Sequence, residues 1–296
     1  MEKIKASGKP RKSMADWRPL ALAAPALLWF LALLAAPLFI VAVYSLGQRG
    51  TYGGVGFPGG PSVANYSRLW DPIYGRVFLR SLELAAVTSL SCLLIGYPMA
   101  YVMATARRKY RDLLMILVVI PFWTNFVVRT YALKAMLAEN GPVNRWALAL
   151  GWIREPFVFS GTVGAVWLGM VTNYLPFMVL PLYVVLEKFD FTLLEAAGDL
   201  GASPSEQFFR VLLPLTRRGV VTGLVFVFAP ALGEFVIPDM LGGARTLLAG
   251  NLITEQFLKS RDWPFGSALS LVLIALVLSS LAGFSLLRRG EKGAIS

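Results

Sequence analysis

Residues 192–214 read Thr192-Leu-Leu-Glu195-Ala-Ala197-Gly-Asp-Leu-Gly201-Ala-Ser203-Pro-Ser-Glu206-Gln-Phe-Phe-Arg-Val211-Leu-Leu213-Pro214. Two helix starts are written into them. Thr192-Leu-Leu-Glu195 and Ser203-Pro-Ser-Glu206 both have the capping-box form, in which a hydroxyl accepts from the N3 amide while the Glu reaches back, and Pro204 suits the first helical position. The first helix is expected over about Leu193 to Leu200, stopped by Gly201 in the left-handed conformation of a C-terminal cap. The second is expected from Pro204 to about Leu212, ending near Pro214. Small Ala196 and Ala197 allow another backbone to come close, and Leu200, Phe208, Phe209 and Val211 offer apolar contacts. The pattern is a short helical hairpin made to be docked against something.

Outward from this segment the chain turns apolar. Charge-free runs extend from Pro19 to Gln48, Leu84 to Ala106, Leu113 to Val128, Pro156 to Leu186, Gly219 to Gly233 and Trp263 to Leu287. A bilayer core takes about 20 mostly apolar residues per helix, so all six runs qualify once the third and fifth continue past Arg129 and Glu234. The expectation is an all-α membrane protein with six transmembrane helices, at about 20–46, 83–106, 113–133, 158–186, 219–241 and 264–287. The hairpin then lies in a loop, 187–218, between the fourth and the fifth. Residues 1–18 form a basic tail, 19–287 the membrane domain and 288–296 a second tail.

Composition supports this reading and removes other classes. The 296 residues are 56% hydrophobic and 15% charged, against roughly one quarter charged in an ordinary soluble domain. The absence of His excludes imidazole acid/base chemistry, Ser-His-Asp nucleophiles and His-ligated metals. A single cysteine, Cys92, excludes an internal disulfide and a thiolate cluster, and inside an apolar run it reads as a packing residue. No metal or cofactor is expected.

The net charge of +11 sits at the ends of the apolar runs and not on one face, which suits membrane orientation and not a nucleic-acid surface. Lys and Arg number six before the first run, four over 107–111, four over 188–218 and three in the final tail, against four, three and three in segments 47–83, 134–155 and 242–262. The positive-inside rule therefore places both termini and loop 187–218 in the cytoplasm. The first apolar run exceeds the 7 to 15 residues of a signal-peptide core, so an uncleaved anchor is expected. No G-x-x-x-x-G-K-[ST] loop occurs, since Gly8-Lys9 is followed by Pro10, so energy for active transport has to come from a partner.

Glu195-Ala-Ala197, Gly201 and Val211-Leu-Leu213-Pro214 resemble the EAA loop of binding-protein-dependent ABC importer permeases, with Val211 replacing the usual Ile. The resemblance implies the type I ABC importer permease fold. It also implies that the hairpin, with Glu195, Ala196, Ala197, Gly201, Leu213 and Pro214, seats in a cleft on a cytoplasmic ATP-binding subunit present in two copies. A second permease, related or another copy, and an extracytoplasmic solute-binding protein are the further implied partners, beside membrane lipid. Pro121-Phe-Trp-Thr-Asn125, Arg129-Thr-Tyr-Ala-Leu133, Leu175-Pro-Phe-Met-Val-Leu-Pro-Leu182, Gly233-Glu-Phe-Val-Ile-Pro-Asp239 and Arg261-Asp-Trp-Pro-Phe265 look like the spermidine/putrescine branch. Nearby branches import other cationic, amino-acid-like or iron-complex solutes. The resemblance implies a bacterial inner-membrane location and no enzymatic activity of the chain's own.

Charged residues inside the spans are the candidate pathway. At 1.5 Å per residue a straight fifth helix puts Glu234 roughly 22 Å from its start and a straight third helix puts Arg129 roughly 24 Å from its own, so the two can meet. Glu234 serves either a structural pair with Arg129, substrate contact or a partner chain. Asp239 falls near the outer boundary, and Trp123, Trp167 and Tyr174 offer cation–π faces or simple packing. Pro121, Pro176, Pro181, Pro230 and Pro238 read as ordinary kinks or as breaks lining a pathway. Turn-rich Tyr52 to Pro61 is a dock for the binding protein or a flexible linker. Two rival classes remain: a membrane-embedded enzyme, which lacks the clustered Asp, His or Ser it requires, and an ion-driven secondary transporter, which has no need of a docking loop.

Overall fold

The computed structural model describes residues 18–243 and 246–289; most of both charged tails therefore lies outside the described residues. Helix α1 (Arg18–Ser45) leads through a two-residue antiparallel pair, β1 (Gln48–Arg49) and β2 (Val55–Gly56), to α2 (Ala64–Arg68) and α3 (Pro72–Thr105). Next come α4 (Arg108–Trp123), α5 (Phe126–Met136), α6 (Pro142–Ala149) and α7 (Val163–Leu186). The hairpin region holds α8 (Thr192–Asp199), α9 (Pro204–Glu206) and a π-helical turn, Gln207–Leu212. It continues into α10 (Leu213–Leu232), α11 (Val236–Leu241), α12 (Ala249–Leu258) and α13 (Trp263–Arg289). The chain is mostly helical, with five helices long and apolar enough to cross a membrane and a sixth candidate if the bent pair α4–α5 is one span.

The centre is α3, α7 and α10 packed on one another, while α1 lies along α13 with almost all of its span unburied within the chain. Lipid tails are as apolar as Leu, so helices associate there by close packing at small residues. At Gly219 a Cβ would stand 3.1 Å from the Pro181 carbonyl oxygen, and at Gly223 one would stand 2.5 Å from Met178 Sδ. Around these contacts Met170, Met178, Leu182, Leu186, Val227 and Leu232 form the buried core.

Helix ends depart from the expected bounds in several places, among them α7, which starts at Val163 and not at 158. Helix α3 starts at Pro72, because Asp71 Oδ1 accepts from Ile73 N at 2.9 Å and Pro72 occupies the first turn. The helix so extends beyond its charge-free part, through Arg76, Arg80 and Glu83. The single third helix expected over 113–133 is two helices, bent by 95°. Thr124 is extended, and Asn125 restarts the chain by accepting from Val127 N at 2.8 Å and Val128 N at 3.4 Å. Finally, the helix expected to end near Pro214 runs on, so that Pro204–Leu232 forms one 29-residue span. The π turn explains the tolerance: Leu213 N bonds Phe208 O five residues back, and the widened turn accommodates a proline ring that would clash in a regular one. The fifth helix, expected to reach 241, stops at Leu232 and resumes as α11.

Gly223→Leu is expected to lower stability by about 1–3 kcal/mol through overpacking against Met178. Thermal unfolding in detergent measures this, and an unchanged transition would contradict the close α7–α10 contact.

Candidate functional site

The hairpin is rigid for reasons visible residue by residue. Helix α8 ends in a Schellman arrangement: Gly201 sits at φ +87°, Gly201 N bonds Gly198 O at 2.8 Å and Ala202 N bonds Ala197 O at 3.0 Å. Only glycine adopts that conformation without strain. Ser203 and Glu206 form the expected box, with Glu206 Oε2 accepting from Ser203 N at 3.0 Å and Ser203 Oγ accepting from Glu206 N at 3.4 Å. Gln207 Nε2 donates to Ala202 O at 3.0 Å and ties the two helices at the corner. The other expected box does not form. Asp190 Oδ1 accepts from both Thr192 N and Thr192 Oγ1, at 3.1 and 2.8 Å, so the Thr hydroxyl is spent on an upstream carboxylate and the N-cap position falls to Phe191.

One side of the hairpin is anchored. Phe208 meets Tyr97 edge-on at 5.3 Å, Phe191 meets Tyr101 at 5.9 Å, and the Tyr97 and Thr216 hydroxyls bond at 2.8 Å. Ala197 and Leu213 are half-buried. The other side is bare. Glu195, Ala196, Gly201 and Pro214 are exposed, as are Leu200 at 90% and Phe209 at 65%. Nearby, Arg111 pairs with Glu187 at 3.1 Å and donates to Ala104 O at 3.1 Å, joining α3, α4 and α7 at this end.

About thirty residues on, α10 breaks at Gly233–Phe235. Glu234, 8% exposed, accepts through Oε1 from Phe235 N, Val236 N and Ile237 N at 3.0, 2.8 and 3.2 Å, and through Oε2 from the Tyr174 hydroxyl. The carboxylate thus caps the orphan amides that open α11, where negative charge is favoured. Arg129 does not meet it. Its guanidinium donates to Asn173 Oδ1 at 3.0 Å, to Pro121 O and to the Thr124 hydroxyl at 3.2 Å, closing the bend between α4 and α5. The straight-helix depth for Arg129 fails because the helix turns at Thr124-Asn125.

The remaining candidates are dispersed. Trp123 is 86% exposed at the end of α4, and Trp167 Nε1 donates to Ser91 Oγ at 3.1 Å. Asp239 is exposed on α11, beside a cavity bordered by α12. Residues not singled out from the sequence complete the picture: Asn173 and Asn125 at the bend, Asp190 at the hairpin, and Ser81, whose Oγ accepts from Ala249 N at 2.8 Å. An amide such as Asn173 within an apolar run was the signal available, since it has to find a partner in lipid.

The family model for the binding-protein-dependent transport system inner membrane component matches residues 93–290. The spermidine/putrescine transport system permease protein PotB of Haemophilus influenzae is 44% identical over 253 residues, covering 84% of this chain and 88% of that one. PotB of Escherichia coli is 48% identical over 209 residues, covering 71% and 76%. Among solved structures, a bacterial ABC transporter for import of the acidic polysaccharide alginate superposes with a TM-score of 0.72 at 17% identity, over 93% of this chain and 96% of that one. The same kind of transporter in complex with an alginate pentasaccharide-bound periplasmic protein superposes at 0.68 and 19% identity, over 93% and 94%. The chain belongs to the binding-protein-dependent inner-membrane transport components: it is a multi-pass permease subunit of an ABC importer, a transport component without catalytic activity of its own.

Proposed function

We propose that this permease imports polyamines of the spermidine/putrescine class and couples to a cytoplasmic ATPase through residues 192–214. The solute class rests on the two PotB relatives, whose similarity covers more than two thirds of this chain. The coupling rests on one observation: an exposed, doubly capped hairpin continues without interruption into span Pro204–Leu232. A push on Glu195, Ala196, Ala197 and Leu200 is then delivered to α10 as a body, with Gly201, Leu213 and Pro214 holding the shape.

In this reading the α4–α5 pair counts as one of six spans, and both termini and the hairpin face the cytoplasm, as the Lys/Arg distribution favours. Two ATP-binding subunits sit below, a second permease, related or identical, completes the pathway, and a solute-binding protein delivers from outside; the alginate transporter solved in complex with a pentasaccharide-bound periplasmic protein supports such a partner. Nucleotide closure draws the hairpins together and opens the paired spans outward; hydrolysis resets them. Glu234 and Arg129 act as structural posts at the two backbone breaks, because each is saturated by groups of its own chain. Asp239 and Trp123 are the pathway candidates left open to solute, and Tyr174 serves by holding Glu234.

Gly201→Val places a β-branched side chain at φ +87°, a strain of about 1–3 kcal/mol that distorts the hairpin corner. Uptake and binding-protein-stimulated ATP hydrolysis are expected to fall to background while the amount in the membrane is unchanged; normal uptake would end the coupling proposal. Glu234→Ala orphans three amides and Tyr174→Phe a single carboxylate oxygen, so both are expected to lower the unfolding transition, each lost partner by about 1–3 kcal/mol, with Glu234→Ala the worse. If Glu234 served only the solute, uptake would change and the transition would stay.

A further inference from the structure

Helix α4 is held loosely along the side of the bundle. Of its sixteen residues only Val118 is buried, and between it, α3 and α7 runs a groove of ≈ 500 Å³. Met99 and Val102 of α3, Leu114 and Leu117 of α4, and Leu175 and Val179 of α7 line its walls. The hydroxyl among the lining side chains, Thr172 Oγ1, is spent on Leu168 O at 2.9 Å, so the wall asks for an apolar occupant. The mouth of the groove is charged instead. Helix α3 ends at Thr105 and α4 starts at Arg108, and the corner between them carries Arg107, Arg108, Lys109 and Arg111. Arg111 is committed to Glu187 and to Ala104 O. The other three are exposed and, among the described residues, take part in no ion pair, although Asp112 is exposed on the same helix. From Arg108 to Pro121, where the α4 wall of the groove ends, is roughly 20 Å of helix. That is the depth of one leaflet with its headgroups, half of about 40–45 Å.

We infer that this groove seats an anionic phospholipid of the leaflet on the hairpin side, with its phosphate at the Arg107–Lys109 corner and an acyl chain along Leu114 and Leu117. Both ends of such a molecule are matched, the charge by basic groups without partners and the chain by a wall of leaflet depth. A zwitterionic lipid fits the wall equally but brings no net counter-charge to the corner. A spanning helix of a second copy is the poorer occupant. It needs about 30 Å of apolar wall, and the α1 of such a copy would bring the six Lys and Arg that precede its apolar run to a corner that is already basic, where like charges repel. The bound lipid gives α4 the packing that its own chain does not supply. It thereby braces the helix whose far end carries the bend closed by Arg129.

The test uses Leu117→Cys, labelled with monobromobimane in the assembled complex, whose other subunits are made free of accessible cysteine; the native Cys92 is 0% exposed and does not compete. The complex is placed in phosphatidylcholine vesicles that carry brominated phosphatidylglycerol or, separately, brominated phosphatidylcholine at the same mole fraction, and quenching of the label is measured. Phosphatidylglycerol is expected to be preferred at the label by about threefold or more, since each basic group near an anionic headgroup favours it. Arg107→Gln/Arg108→Gln/Lys109→Gln in the same background is expected to bring the ratio to about one. Raising NaCl to about 1 M with the three charges in place is expected to lower it too, which reads the charge dependence where the triple variant fails to assemble. Equal quenching by the two lipids overturns the site, as does a preference left unchanged by the triple variant or by salt. Quenching by neither lipid also overturns it and gives the groove to the second permease. The measurement needs neither nucleotide nor solute, so its failure is distinct from a failure of the importer reading, which uptake reports.

Discussion

A backbone interrupted inside lipid survives only where side chains replace the hydrogen bonds the helix has given up. Both interruptions of this fold are closed that way. At the α4–α5 bend Asn125 takes the new amides, and Arg129 joins the Thr124 amide and hydroxyl in donating to the Pro121 carbonyl. At the end of α10 a single carboxylate, Glu234, takes three amides. The two seals meet consecutive residues of one helix, Asn173 and Tyr174 of α7. Two ionisable groups deep in apolar surroundings thereby have a sufficient structural cause, and α7 becomes the post from which both breaks are braced.

The same constraint makes α10 stiff. Its span, Pro204–Leu232, has 29 residues, roughly 44 Å of helix; Pro214, expected to end a helix, is absorbed by a π turn, and Pro230 lies within α10 close to its end. Close approach at Gly219 and Gly223 locks it to α7, and interlocked small-residue contacts resist sliding. Motion applied at the hairpin therefore meets no interruption of the helix before Gly233–Phe235.

How much of this could be read from residues alone follows from which physics is local. The apolar runs stand out because unpaired charge is excluded from lipid, and the Ser203 to Glu206 box and Gly201 cap were legible because capping involves neighbours three or four residues apart. Helix ends were not, since an apolar run marks the lipid and not the hydrogen bonding, and α3 extends through three charged residues beyond it. The Thr192 box failed to a local competitor, because Asp190, two residues upstream, is a stronger acceptor for the same amide and hydroxyl. Arg129 and Glu234 were legible as charges within apolar runs but not as separate seals. Their supposed meeting assumed two straight helices, and Thr124-Asn125 turns one of them by 95°.

That correction changes where solute chemistry has to be sought. A carboxylate already bonded to three amides and a phenol gains little from an ammonium, because the new contact only replaces partners it already has. Exposed carboxylates over the break are differently placed, since whatever they bind adds contacts without breaking the seal. Helix α12 is stacked on that break through Gly250 and Asn251, at the far end of α10. The near end carries the hairpin. On the coupling proposed above, a push at the hairpin reaches the far end of the same span without a chain of intermediate contacts between them.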